Sequence, residues 1–286
     1  MGRGAGRGKE EDRGMKHIIQ FSGGLASAEV ARIIIDMYGK GNVILMNHDV
    51  KIEHPDTKKF KEDVCNYLGV EYVEVSDGRD LWDLIVDQKC LPSLWIPFCT
   101  RILKQKQGLK FCKSLKDKFI LYNGFGVHES RRTSGSIREC SKRGIIVKSP
   151  LQEYNIPDIE VMRMIRDEWK IQIPEPYMNG FEHNNCLPCF KGGKAHFKRV
   201  WQFYPGSFEK AKWAEEKIGH TVFKLKRKTG RVIIKNGEKC HEYITIRQPL
   251  SELEKRWAEE SVEKKVMTFN HADLWQQMDM FEEVGV

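Results

Sequence analysis

The stretch His17-Ile18-Ile19-Gln20-Phe21-Ser22-Gly23-Gly24-Leu25-Ala26-Ser27 decides the fold. A short apolar run ends in a serine and two glycines, and an apolar-periodic segment, Ala28 to Tyr38, follows at once. The order is strand, glycine turn, helix. Such a turn aims backbone N–H groups and a helix N-terminus at one point, which suits a phosphate or sulfate. Gly23 and Gly24 let the backbone approach an anion with no Cβ between them, and Ser22 and Ser27 add hydroxyls. The same pattern also serves an ordinary strand-to-helix turn whose glycines are there for steric reasons.

Outward from this stretch the pattern repeats. Further apolar runs stand at Val43–Asn47, Tyr72–Val75 and Phe119–Tyr122, with an edge-strand candidate at Ile145–Lys148. Helical patterns lie between them at Thr57–Leu68, Asp80–Gln88 and Thr100–Leu115, and Asp56 is the expected N-cap of the first of these. Strands alternating with helices predict an α/β fold, a Rossmann-like, doubly wound, mostly parallel sheet. Ligands of such sheets sit at the carboxyl ends of the strands. The turns Ser22–Ser27, Asn47–Asp49 and Gly124–Ser130 all follow expected strands and so face one crevice.

From about Pro174 the pattern changes. A Cys186-Leu187-Pro188-Cys189 turn is followed by helical stretches at Lys194–Tyr204 and Ser207–Ile218. Val222–Lys226 and Arg231–Lys235 flank Lys228-Thr229-Gly230, which predicts a basic hairpin. A terminal helix begins at Leu250. The expected organisation is a basic tail over 1–15, a nucleotide-binding core over 16–175, and a smaller α+β appendage over 176–286.

Four pieces, in order, carry a family resemblance: Ser22-Gly23-Gly24-Leu25-Ala26-Ser27; Asn47-His48-Asp49-Val50 through His54-Pro55-Asp56-Thr57; Phe98-Cys99-Thr100-Arg101-Ile102-Leu103-Lys104; and Gly124-Phe125-Gly126-Val127-His128-Glu129-Ser130 with Arg131 and Arg132. Together they resemble the PP-loop superfamily of adenine nucleotide alpha-hydrolase-like proteins, and within it the phosphoadenosine phosphosulfate (PAPS) reductase-like proteins. The resemblance implies ATP or PAPS bound by Ser22, Gly23, Gly24, Ser27, Arg101, Lys104, Gly124, Ser130, Arg131 and Arg132. It implies catalytic or metal-holding work, with Mg²⁺, for Asp49 and Glu129. Two departures stand out. Ala26 occupies the place of an aspartate common in the superfamily's pyrophosphatases, and Gly126 occupies the place of a frequent arginine, for which Arg131, Arg132 or Lys104 would compensate.

The eight cysteines are irregularly spaced in a 286-residue chain, which reads as metal or redox use in a reducing, cytoplasmic setting and not as a disulfide frame. Cys186 and Cys189 have the spacing of ligands to zinc or to one iron of an iron–sulfur cluster; a redox dithiol and a structural thiol pair are the alternatives. A DNA phosphorothioation protein of the same superfamily uses such a cluster. Cys99, before Thr100 and Arg101, is an expected nucleophile, sulfur carrier or ligand, or a merely buried thiol. The net charge of +8 favours an anionic partner, whether nucleotide, sulfonucleotide, DNA or RNA. No apolar run reaches the roughly 18 residues of a membrane span.

The leading functional expectation is a PAPS reductase-like enzyme carrying out sulfur or adenylyl transfer, in which a thiolate such as Cys99 or Cys240 attacks the substrate's sulfur. The alternatives are ATP-dependent thiolation of a nucleic acid, in which ATP adenylates the acceptor and sulfur displaces AMP, and a non-catalytic nucleotide-sensing or nucleic-acid-binding module. Glu238-Lys239-Cys240-His241 is a poor match to the Glu-Cys-Gly-x-His segment of thioredoxin-dependent reductases.

Overall fold

The computed structural model describes residues 14–184, 186–235 and 238–263. All but the last two residues of the expected basic tail lie outside them. The chain divides into two compact units. The first comprises residues up to Gly78, Thr100–Met178 and Glu182–Cys186; the second comprises Arg79–Cys99, Asn179–Phe181 and the residues from Leu187 onward.

The first unit is built on a five-stranded, wholly parallel sheet: β1 (Lys16–Gln20), β2 (Val43–Asp49), β3 (Tyr72–Ser76), β4 (Phe119–Tyr122) and β5 (Ile146–Lys148), in the order β3-β2-β1-β4-β5. The expected α/β, Rossmann-like sheet is therefore present. Its strand order reverses between β1 and β4, and the carboxyl ends of those two strands mark the crevice where sheets of this kind take ligands. Burial follows the order. The three inner residues of β1 are all buried, as in a central parallel strand covered on both faces, whereas β3 at one edge is half to fully exposed. Ile18, Met46, Leu121 and Val147 form one face of the core with Cys112, and Ile19, Leu45 and Ile120 alternate to the other. His17 is buried beneath the sheet's helices, its Nδ1 2.9 Å from the Tyr122 hydroxyl and its ring stacked on Tyr38 at 3.7 Å.

Helix α1 (Leu25–Tyr38) leaves the glycine turn directly, three residues earlier than periodicity predicts. Its Ala28, Val30, Ala31 and Ile34 are buried. Helix α2 (Pro55–Leu68) starts on His54, not Asp56: the His54 imidazole Nδ1 accepts from the Asp56 N–H at 3.2 Å, and Pro55 sits at the first helical position. Proline fits there because its missing N–H is one that the helix leaves unpaired. The helix expected over Thr100–Leu115 is a π-helical stretch, Thr100–Lys106, running into α-helix over Gln107–Ser114.

In the second unit, helix α3 (Leu81–Gln88) opens with a reciprocal capping box between Asp80 and Asp83. Helices α4 (Lys194–Phe203), α5 (Pro205–Ile218) and α6 (Leu250–Glu263) enclose an aromatic core in which Phe197, Phe208 and Trp257 are buried. Phe190 meets Trp82 and Phe197 edge-on at 6.0 and 5.8 Å. The buried Glu215 carboxylate holds two segments together by accepting from the Val222 and Leu250 N–H groups, each at 2.7 Å. Strands β6 (Phe223–Lys235) and β7 (Glu238–Gln248) pair antiparallel as a separate two-stranded ribbon. The basic hairpin exists, but not where Lys228-Thr229-Gly230 was expected to turn it. Gly230 (φ +85°) lies in an irregularity inside β6, between Lys228 and Val232. The pairing runs on to Lys235 opposite Glu238.

Candidate functional site

The glycine turn sits at the switch point, and long-range side chains hold it. Gly23 has φ +73°, and a Cβ there would stand 2.8 Å from Lys61 Cγ and 2.9 Å from Thr57 Cγ2. The position therefore demands glycine twice over, by backbone sign and by space. The Asn184 side-chain amide donates to the Gly23 carbonyl at 2.7 Å, and the Thr57 hydroxyl donates to the Asn184 carbonyl at 3.1 Å. The Tyr177 hydroxyl accepts from the Leu25 N–H at 3.4 Å and donates to Asn184 Oδ1 at 3.4 Å. Burial pushes the Tyr177 phenol well above its ordinary pKa, so it stays a neutral donor. Ser27 is buried, its hydroxyl donating to the Gly24 carbonyl at 2.8 Å and accepting from Ser22 Oγ at 3.3 Å.

Beneath this turn lies a buried ion pair. The Lys61 ammonium, 3% exposed, donates to Glu53 Oε2 at 2.8 Å and to Asn47 Oδ1 at 3.0 Å. Asn47 in turn donates to the Phe21 carbonyl at 2.9 Å. Burial raises the Glu53 pKa, against the opposing pull of Lys61. Sequence reading missed Lys61, Glu53, Tyr177 and Asn184. Their only signal was the helical spacing of Lys61 from Thr57, which places both on one side of α2.

The second wall is the turn after β4. A Cβ on Gly124 would lie 2.8 Å from the Ser27 nitrogen and 3.0 Å from the Ala26 carbonyl carbon. The backbone of this turn thus rests against the first turn of α1. Glu129 braces the loop by accepting from the Gly126 N–H at 2.9 Å and pairing with Arg132, whose guanidinium lies over the Phe125 ring at 4.5 Å. Gln152 donates to the Gly126 carbonyl at 2.7 Å. Where the resembled family often has an arginine, a Cβ on Gly126 would instead meet the Asp158 carboxylate at 2.7 Å. That carboxylate is 2.8 Å from His128 Nε2.

Cations reach the same end of the sheet. Lys104, on the π-helical stretch, acts electrostatically on His48, Glu53 and His183, and Arg132 acts on His183. Burial, seconded by Lys104, lowers the His48 pKa to about 4, so its imidazole is neutral at ordinary pH. Arg101 and Arg131 are exposed, as is Ser130 at the first position of its helix. Asp49 is held at the end of β2, accepting from the Lys51 N–H at 3.0 Å and from Ser76 Oγ at 3.2 Å.

Of the expected site residues, Ser22, Gly23, Gly24, Ser27, Asp49, Arg101, Lys104, Gly124, Glu129, Ser130, Arg131, Arg132 and Cys186 belong to the first unit. Cys99 and Cys189 belong to the second. Cys186 follows the loop-holding Asn184 by two residues. The Cys189 N–H donates to His196 Nε2 at 2.9 Å. Among the described residues, the only group of three His, Cys, Asp or Glu side chains with ligand atoms gathered within 4.8 Å is His54, Asp56 and Glu175. It contains no cysteine. Two thiols are half of the ligand set of a structural zinc or a four-iron cluster. Neither Cys186 nor Cys189 belongs to the group of ligand atoms gathered among the described residues.

No family model and no curated protein matches the chain. Among solved structures it is similar to the U34-tRNA thiolase NcsA from Methanococcus maripaludis with its 4Fe-4S cluster. The identity is 17%, the match covers 75% of this chain and 78% of that one, and the TM-score is 0.42. No helix among the described residues is long and apolar enough to cross a membrane.

Proposed function

We propose that the chain is a PP-loop-type enzyme that binds the phosphate or sulfate groups of an adenine nucleotide, ATP or PAPS, at Ser22–Ser27 and transfers sulfur or an adenylyl group. One observation carries the reading. The glycine turn stands at the β1–β4 switch point, and Asn184 and Tyr177 hold it from outside the sheet. A pre-set anion cradle needs that kind of support, because donors that are already oriented cost no reorganisation when charge arrives. Lys104 and Arg132 supply the neighbouring positive charge that Gly126 does not. Asp49 and Glu129 stand by to position the ribose, the base or a Mg²⁺ ion.

Sulfur chemistry is favoured by Cys186, which stands two residues beyond the Asn184 that grips Gly23. Two residues of chain span at most about 7 Å. In the PAPS version the Cys186 thiolate attacks the sulfate sulfur and displaces adenosine 3′,5′-bisphosphate, and an external thiol then releases sulfite and leaves a disulfide. In the thiolating version ATP adenylates the nucleic acid with loss of pyrophosphate, and sulfide displaces AMP. Ala26, in place of an aspartate, removes one carboxylate from the phosphate loop in both.

Calorimetric titration with ATP, AMP and PAPS tests the binding. At least one nucleotide is expected to bind with a Kd below about 1 mM. Gly24→Val, whose side chain would press on the Tyr177 hydroxyl 3.0 Å from the new Cβ, is expected to lose that binding while still unfolding cooperatively, at a lowered thermal midpoint. Silence of the wild-type protein toward all three nucleotides would remove the reading. Given binding, sulfite from PAPS identifies reduction, and AMP or pyrophosphate that depends on sulfide and nucleic acid identifies thiolation.

A further inference from the structure

The β6–β7 ribbon has two chemically different faces, and register assigns each residue of Phe223–Lys228 and Tyr243–Gln248 to one of them. Lys224 lies opposite Arg247, Lys226 opposite Thr245 and Lys228 opposite Tyr243. Directly opposed residues share a face, as do residues two apart along a strand. Lys224, Lys226, Lys228, Tyr243, Thr245 and Arg247 therefore form one face, with no acid among them, and all six are exposed. Phe223, Leu225, Arg227, Ile244, Ile246 and Gln248 form the other. That second face turns inward at its root. Phe223 meets Phe197 of α4 edge-on at 5.3 Å, and the buried Gln248 accepts from the Lys194 ammonium. At the root the lysine face is thus the outward one, with Arg247 donating to the Gly219 carbonyl at 3.0 Å. None of its three lysines has an acidic partner among the described residues.

Lysines on an exposed ribbon guard against edge-to-edge pairing, but that duty does not require three on one face, each opposite a residue that is not acidic. Alternate residues on a strand are about 7 Å apart. A duplex strand carries a phosphate about every 3.4 Å of axis, so three lysines spread over about 14 Å meet several phosphates of one strand. The two strands are about 4.8 Å apart, and a two-stranded ribbon of this kind fits the major groove of B-form DNA, about 12 Å wide. The A-form RNA major groove is too narrow and deep to admit one.

We propose that the outward face of the β6–β7 ribbon docks a B-form DNA duplex along its major groove, with Lys224, Lys226 and Lys228 on the backbone phosphates and Tyr243 and Thr245 turned to the groove. This interaction is independent of nucleotide binding at Ser22–Ser27. Fluorescence anisotropy of the full chain with a labelled duplex of about 20 base pairs, from about 50 to about 200 mM salt, reads it out. The wild-type protein is expected to bind with an affinity that falls steeply with salt. The triple substitution Lys224→Gln, Lys226→Gln and Lys228→Gln is expected to lower the log–log salt slope by about 2 to 3 and to weaken binding at least tenfold. Arg227→Gln, on the opposite face, is expected to leave the slope as it is. Equal slopes for the wild-type protein and the triple variant, stronger binding to duplex RNA or to single strands than to duplex DNA, or no wild-type binding at about 50 mM salt would each overturn the proposal.

Discussion

Lysine is used in two opposite ways in this molecule. Lys61, in the first unit, is 3% exposed and is held by Glu53, Asn47 and the face of Tyr72 at 5.5 Å. Lys224, Lys226 and Lys228, in the second, are exposed and unpaired among the described residues. A buried ammonium must be paired, or its desolvation outweighs everything it contributes. An exposed one costs almost nothing to leave free. The contrast separates two kinds of charge, one that builds the glycine turn and one that remains available to a partner.

The sharpest way to break this comparison is to remove Lys61. In Lys61→Met the Glu53 carboxyl stays buried without its cation, and the expected loss of stability is about 3 to 5 kcal/mol near pH 8. The loss has a pH signature. Burial already raises the Glu53 pKa, and without Lys61 it rises further. A carboxyl with a raised folded pKa contributes stability below its unfolded pKa and loses it as pH rises through the folded value. Urea unfolding of the variant should therefore show a smaller deficit near pH 5 than near pH 8. A deficit that is flat across this range, or below about 1 kcal/mol, would mean that Lys61 is not a buried structural cation.

Little of this network was legible in the sequence, and the reason is physical. The sheet was legible because the apolar runs His17–Phe21, Val43–Asn47, Tyr72–Val75, Phe119–Tyr122 and Ile145–Lys148 are local signals, and each corresponds to a strand within a residue or two. Gly23 and Gly24 were legible because a turn into a helix advertises itself. The clamps were not. Asn184 reaches Gly23 across 161 positions of sequence, and Tyr177 reaches Leu25 across 152. Nothing in either local pattern marks such a contact. Lys61 looks like any solvent-facing helix lysine. The hairpin was misread for a different reason: Lys228-Thr229-Gly230 resembles a turn, and only the pairing of Phe223 through Lys235 with Glu238 through Gln248 shows that the strand runs on past it.

His48 gives the next effect in size, again within the first unit. Its imidazole is held neutral by burial, with Lys104 adding to the push, at a pKa of about 4 against an ordinary 6.5. The folded state therefore binds fewer protons than the unfolded chain between those values. The contribution is complete above pH 6.5 and is lost as pH falls toward 4. At 1.36 kcal/mol per unit, the chain should lose about 3 kcal/mol over that window. His48→Gln should remove this part of the acid sensitivity, as read from unfolding midpoints at pH 7 and pH 4.5. Parallel acid dependence in the two proteins would place the sensitive group elsewhere.

The smallest expected effect is the one that sharpens the contrast most. Replacing Lys224, Lys226 and Lys228 together with glutamine should change stability by no more than about 0.5 kcal/mol, because exposed side chains without partners give up neither packing nor a paired charge. Three ribbon lysines would then matter less to the fold than the single Lys61. The ribbon's attachment depends instead on Phe223 against Phe197 and on Gln248 with Lys194. Thermal unfolding of the triple variant beside Phe223→Ala decides the point. If the lysine face does structural work, the triple variant will melt early as well. If its charge is held in reserve for a polyanion, only the phenylalanine change will lower the midpoint, and the lysine change will show itself only when DNA is added.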